Sequence, residues 1–382
     1  MTDLRGLQQQ HVDTGEIPGA VALVARRGHV EVEAVGTLAL GGPPMTRDAV
    51  FRVASITKPI VAAAAMQLVD EGRMVLDDPI ARWLPELAEP RVVRTPGAGV
   101  DDVVPAHRPV TVEHVLSSRA GWGFPADFSL PAVQLLMATV HAHLLEPALV
   151  APPDAWVAEL AQVPLLHQPG EGWLYNTAYD LLGVLVARVA GRPLAEVMAE
   201  RLFAPLGMRD TGFAVPAGAR DRTTTSYRPT DDGTLELVDP PQGHWSTPPA
   251  FASGAGGLVS TADDWFAFGR MLLAEGVADD GRRVLSREAV RAMTTDCLTP
   301  DQREAGRLFL EGQGWGYGGS VDVVASDPWT VPGRYGWVGG TGTAAHVVPA
   351  TGAVTILLTQ RELTGPASPP LMQAFWAYAA SA

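Results

Sequence analysis

Ser55 and Lys58 stand three positions apart in "FRVASITKPIVAAAAMQLVDEG", residues 51–72, and Lys58 is the single lysine in a chain with 28 lysine and arginine residues. The residue type matters chemically. A guanidinium keeps its proton in any protein, whereas a desolvated amine can release its proton and act as a base. A serine with such an amine one turn on is a nucleophile with its base, and the amides at a helix start can hold the anion formed when the serine attacks a carbonyl. Two readings of the lone lysine stand: a site that requires it, or an Ala- and Arg-rich composition in which one lysine remained.

The elements that must position this pair follow from the patterns around it. A short helix at the N-terminus precedes "AVALVARRGHVEVEAVGTLAL", two β-rich runs separated by Arg-Gly-His that predict a hairpin. "AVFRVAS" is a third short strand running into Ser55. From Ser55 to about Glu71 the pattern is helical and stops at Gly72, with Pro59 in the first turn, where its missing N–H has no intrahelical partner to lose. Ser55 is therefore expected at a helix N-terminus with Lys58 on the same face.

From roughly Asp77 to Ser246 helical patterns alternate with Pro-rich connections such as "LVAPPDAW". After Ser253 come a glycine-rich turn and a helix, strands in "GWGYGGSVDVV" and "RYGWVGGTGTAAHVVPATGAVTILLTQ", and a last helical pattern, "PPLMQAFWAYAA". Strands at both chain ends predict an α/β (α+β) fold, an antiparallel sheet flanked by helices. Residues 1–76 and 247–382 would form this domain, and residues 77–246 an inserted, mainly helical lobe.

Composition narrows the function. With 47 % hydrophobic and 18 % charged residues the chain is globular, and its net charge of −14 argues against non-specific binding to nucleic acid or an anionic membrane. One cysteine, Cys297, excludes an intrachain disulfide framework, and with no basic neighbour it reads as a structural thiol. The first 20 residues lack a basic start followed by an apolar run, and no apolar stretch is long enough to span a bilayer, so a cytoplasmic protein is expected.

"VASITKPIVAAAAMQLVDEGRMVLDDPIARWLPEL" resembles the nucleophile region of the serine β-lactamase and penicillin-binding-protein superfamily. It is most similar to the branch that holds class C β-lactamases, D,D-peptidases and β-lactamase-like carboxylesterases. "VTVEHVLSSRAGWG", "PGEGWLYNTAYDLLGVLVARVAGRPLAEVMAERLFAPLGMRDTGF" and "ASGAGGLVSTADDWFAFGRMLL" resemble other landmarks of that family in order, so the likeness runs from about Ile17 to Gln360.

The resemblance implies a β-lactamase/transpeptidase-like fold and a metal-free, cofactor-free acyl transfer. Its Y-x-N element puts Tyr175 beside the lysine as acid/base, with Asn176 or Thr177 as the polar neighbour. Counting back from "DLLG" would instead put Leu174 there, and leucine transfers no proton. In place of K-T-G or H-x-G the chain has Trp337-Val338-Gly339, which implies an oxyanion hole made by the amides of Ser55 and Gly340, with Trp337 and Gly339 beside the substrate.

Competing motifs carry less. "GWGYGG" at 314–319 matches G-x-G-x-x-G but lies in a β pattern with no helix after it. His141 and His143 at i and i+2 of a helical pattern point to different faces, which does not suit a shared metal. No G-x-S-x-G occurs.

The sequence thus predicts a serine acyl hydrolase acting through an acyl-enzyme on small-molecule esters or amides. A carboxylesterase-like enzyme on neutral esters is favoured, because Trp337 offers no cation for a carboxylate; Arg334 and Arg361 are the candidates to replace one. A β-lactamase or D,D-peptidase, and a non-catalytic binding protein on the same scaffold, are the alternatives. Oligomeric state is not legible.

Overall fold

The computed structural model describes residues 3–141 and 149–381. Its centre is an antiparallel seven-stranded sheet of order β2-β1-β13-β12-β11-β10-β9. The two N-terminal strands are β1 (Gly19–Arg26) and β2 (His29–Gly36). The others come from the C-terminal part: β9 (Gly314–Trp315), β10 (Ser320–Val321), β11 (Tyr335–Gly339), β12 (Thr343–Val348) and β13 (Ala353–Thr359). The ends of the chain meet where β1 pairs with β13, Ala20 opposite Thr359 and Ala25 opposite Val354.

Both faces of the sheet are covered, which is why its central strands read as nearly continuous apolar runs. Ala20, Ala22, Val24, Ala344 and Leu357 pack on one face against α1 (Leu4–Asp13) and α13 (Pro370–Ser381). Val21, Leu23, Ala345, Val347, Ile356 and Leu358 face the larger core, which contains α2 (Lys58–Asp70) and α9 (Ala262–Leu273). Helix α2 is buried from Lys58 to Leu68, as an Ala-rich helix apolar on all sides must be.

Most of the helical patterns between Asp77 and Ser246 form short elements. They are α3 (Val112–Leu116), α4 (Pro131–Val140), α5 (Pro153–Leu160), α6 (Thr177–Ala190), α7 (Leu194–Met198) and α8 (Ala204–Leu206). This stretch also holds two hairpins, β4 (Arg91–Val93) with β5 (Val103–Pro105), and β6 (Ser226–Pro229) with β7 (Leu235–Asp239). The second hairpin returns to the sheet end, where Tyr227 N–H donates to Gln360 O over 2.8 Å. Helices α10 (Arg287–Met293), α11 (Pro300–Ala305) and α12 (Arg307–Leu310) precede β9.

Two local expectations need correction. The strand in "AVFRVAS" shrinks to β3 (Phe51–Arg52), which pairs with β8 (Val259–Ser260) outside the main sheet. Ser55 does not begin α2; it lies in a separate 3-10 turn, Ala54–Thr57, and the α-helix starts at Lys58. The tighter winding eclipses residues three apart, so Lys58 stacks over Ser55 more directly than an α-helical turn would place it. Among the described residues no helix is long and apolar enough to cross a membrane.

Candidate active site

The Ser55 segment is clamped from several sides. Thr341 and Thr343 hydroxyls, from the turn between β11 and β12 and from β12, donate to Arg52 O (2.6 Å) and Val53 O (2.8 Å). Trp265 of α9 donates its indole N–H to Ile56 O (3.3 Å). Ala54 takes φ 45°, a left-handed conformation uncommon outside glycine, next to the nucleophile. Gly339 lets β11 come this close, because a Cβ there would sit 2.5 Å from Val53 O.

Tyr175 comes from a separate segment, just ahead of α6. Its backbone exchanges hydrogen bonds with Phe124 at 2.9 and 3.0 Å, and a Cβ on Gly123 (φ 144°) would meet Tyr175 O at 2.5 Å. Asn176 follows at φ 79°, ψ −70°, with Thr177 N–H donating to Tyr175 O at 3.2 Å. That is a strained γ-turn, and it aims the Asn176 side chain at the lysine while α6 begins at Thr177.

The side chains converge. Ser55 Oγ lies 2.8 Å from Lys58 Nζ and 2.8 Å from the Tyr175 hydroxyl, and Lys58 Nζ is 3.4 Å from that hydroxyl. Lys58 is fully buried and also donates to Asn176 Oδ1 (2.9 Å) and Ala255 O (2.6 Å). Burial pushes its pKa down to about 7, partly offset by the negative charge of Asp180. A neutral amine has two N–H donors and one lone pair. With the donors taken by Asn176 and Ala255, the lone pair is left for the serine proton.

The Tyr175 hydroxyl donates to Ser55 Oγ and accepts the indole N–H of Trp337 over 2.8 Å. Its pKa is raised by burial, with the Ser55 and Trp337 hydrogen bonds opposing, so it rests as a phenol. Trp337 is only 3 % exposed and meets Trp315 edge-on at 4.7 Å. Most of the cleft's apolar wall comes instead from Phe124, Phe128, Phe251, Phe309 and Leu363, around a cavity of about 400 Å³ that Ser55, Asn176 and Gly340 also line.

Trp337 and Gly340 line the cavity, whereas Gly339, expected beside the substrate, does not. Thr177 is buried, lies off the cavity, and its hydroxyl has no partner among the described residues. Asn176 is the polar neighbour of the lysine. Nothing fills the space beside Gly340 within 4 Å. Arg334 faces Asp322 and stacks 5.0 Å from the Trp376 ring, and neither it nor Arg361 lines the cavity. His141 lines the cavity, and His143 lies outside the described residues. Among the described residues no cluster of three His, Cys, Asp or Glu could hold a metal. Cys297 donates to Trp315 O at 3.0 Å, and burial pushes its thiol up to about 12. Sequence reasoning missed the Ala255 carbonyl and Asp180.

Comparison with known proteins matches the chain to a family: the model described as Beta-lactamase covers residues 4–373. The chain belongs to that family. It is 40 % identical to Protein Rv1367c of Mycobacterium tuberculosis, over 91 % of this chain and 87 % of that one. It is 32 % identical to Esterase EstB of Burkholderia gladioli, over 92 % and 88 %. The structure of EstCE1, a hydrolase with promiscuous acyltransferase activity, superposes with a TM-score of 0.79 at 25 % identity, covering 98 % of this chain and 97 % of that one. The sheet flanked by helices is the fold of this family, and the chain is a serine hydrolase.

Proposed function

We propose that this serine acyl hydrolase is a carboxylesterase that cleaves neutral esters of small molecules, with Ser55 as nucleophile and Lys58 and Tyr175 as its proton carriers. The observation that carries the reading is the approach of Lys58 Nζ and the Tyr175 hydroxyl to 2.8 Å from one atom, Ser55 Oγ. Ser55 attacks the ester carbonyl and passes its proton to Lys58, while the Ser55 and Gly340 amides hold the oxyanion. Tyr175 protonates the departing alkoxide and regains a proton from Lys58 across their 3.4 Å contact. Water then attacks the acyl carbon, its proton leaves by the same pair, and Ser55 is restored.

The preference for neutral esters rests on the lining. Among the described residues around the cavity there is no arginine or lysine, and Lys58 beneath it is committed to Ser55, Asn176 and Ala255. The carboxylate of a β-lactam or peptide would find no guanidinium or uncommitted ammonium there. A cytoplasmic setting is part of the proposal, supported by the single cysteine and acidic composition. So is the division into an α/β domain (1–76 and 247–382) and an inserted lobe (77–246), supported by Ser55 and Tyr175 coming to the cleft from separate segments, one ahead of α2 and the other ahead of α6.

A panel of nitrophenyl esters of rising acyl size beside a chromogenic cephalosporin tests the assignment. Ester turnover should exceed cephalosporin turnover in kcat/KM, with the larger apolar acyl groups accepted. An enzyme that prefers the cephalosporin to every ester overturns the neutral-ester reading.

A further inference from the structure

Asp180 lies on α6, 6 % exposed, one turn beyond the γ-turn at Asn176. Its Oδ1 accepts from Ser253 Oγ (2.6 Å) and from Ala255 N–H (3.1 Å), and Ser253 Oγ in turn accepts from Gly256 N–H (3.2 Å). The same Ala255 presents its carbonyl to Lys58 Nζ at 2.6 Å. One carboxylate therefore fixes the turn whose carbonyl grips the amine.

An asparagine would accept the same two hydrogen bonds without placing a charge in the interior, where an ion is costly. What aspartate adds is a charge: burial pushes its pKa up, and the Ser253 and Ala255 hydrogen bonds and the Lys58 cation oppose that rise. We infer that Asp180 is a positioning residue that sets the protonation of Lys58, holding the amine against Ala255 and supplying the negative charge that opposes its desolvation. The inference rests on the serine-hydrolase reading for its functional meaning.

Few other groups compete for this role. The Tyr175 phenol faces Lys58 from the segment before α6, β11 brings the neutral Trp337 indole, and the turn at 253–257 carries no charged side chain. Helices α7 and α10 also pack on α2, but their charged residues Glu196, Arg287, Glu288 and Arg291 are exposed.

Because the chain has one lysine, protein grown on lysine labelled with ¹³C at Cε gives a single side-chain resonance whose pH titration reads Lys58 without any turnover. In Asp180→Asn the midpoint should fall by about half a pH unit or more, because the ammonium loses its counter-charge. The acid limb of ester hydrolysis should move down with it. Ser253→Ala removes one donor from the carboxylate, favours its neutral form, and should lower the midpoint by less; it also serves as the test if Asp180→Asn does not fold.

A midpoint that stays or rises in folded Asp180→Asn, or failing that in Ser253→Ala, overturns the inference. Covalent capture of Ser55 by a fluorophosphonate reads the mechanism separately. Capture with an unmoved midpoint defeats this inference alone. A lowered midpoint without capture defeats the hydrolase reading and leaves the Asp180–Lys58 coupling standing.

Discussion

The indole N–H of Trp337 donates to the hydroxyl oxygen of Tyr175 over 2.8 Å. Trp337 therefore touches the tyrosine proposed as acid/base as well as lining the cleft. A donor on the phenol oxygen helps stabilise that oxygen when its proton has moved to the leaving group.

Trp337→Phe keeps an aromatic ring and deletes that donor. Ester kcat should fall about tenfold with little change in KM, the scale of one hydrogen bond to a group that gains charge. Steady-state kinetics on a nitrophenyl ester checks it. A change confined to KM would return Trp337 to a purely substrate-binding role.

In the proposed mechanism the base is the neutral form of Lys58. Burial lowers its pKa from 10.5 to about 7, so activity should rise as pH climbs through about 7 and level off above, where the amine is uncharged. Tyr175, with its pKa raised by burial, stays protonated across this window. Lys58→Arg keeps the charge but cannot deprotonate, and should lose about 10² to 10⁴ in rate. A folded Lys58→Arg protein with near wild-type turnover would show that the single lysine is a compositional accident.

Tyr175→Phe removes one hydroxyl and should cost roughly 10² or more in acyl transfer. Tyr179, one turn further along, donates to Leu116 O at 2.5 Å inside the core. Tyr179→Phe should lower stability by about 1 kcal/mol and leave kcat nearly intact. Thermal melts and kinetics on the two proteins separate the roles, and exchanged phenotypes would show that the tyrosine register is wrong.

Asn176 and Thr177 make a second such pair. Asn176→Ala removes an acceptor from Lys58 Nζ and should reduce kcat. Thr177→Val should leave activity intact and keep stability within about 1 kcal/mol, since the buried Thr177 hydroxyl has no partner among the described residues. Damage from Thr177→Val, with Asn176→Ala silent, would transfer the polar role to Thr177.

Much of this was legible in the sequence, for identifiable reasons. Ser55 and Lys58 carry their chemistry in residue type and spacing, Tyr175 is legible only through the family resemblance, and the β1–β2 hairpin and the strands from Tyr335 to Thr359 announce themselves by composition and turn residues. The Ala255 carbonyl could not be read, because every residue has one and only the fold selects which meets the amine. Asp180 carries no mark in the sequence that separates it from other polar residues near helix starts. The aromatic wall was hidden because Phe124, Phe251 and Phe309 come from separate segments. Asn176 was separated from Thr177 only by a γ-turn, a backbone conformation with no strong side-chain signature.

The central claim is that Ser55 is a nucleophile activated by Lys58, and covalent capture tests it most directly. Wild-type protein treated with a fluorophosphonate should gain the mass of one phosphonyl group, mapped to Ser55 by peptide sequencing. Ser55→Ala should gain none, and Lys58→Arg should react far more slowly. A wild-type protein that stays unmodified, or carries the adduct on another residue, would contradict the account.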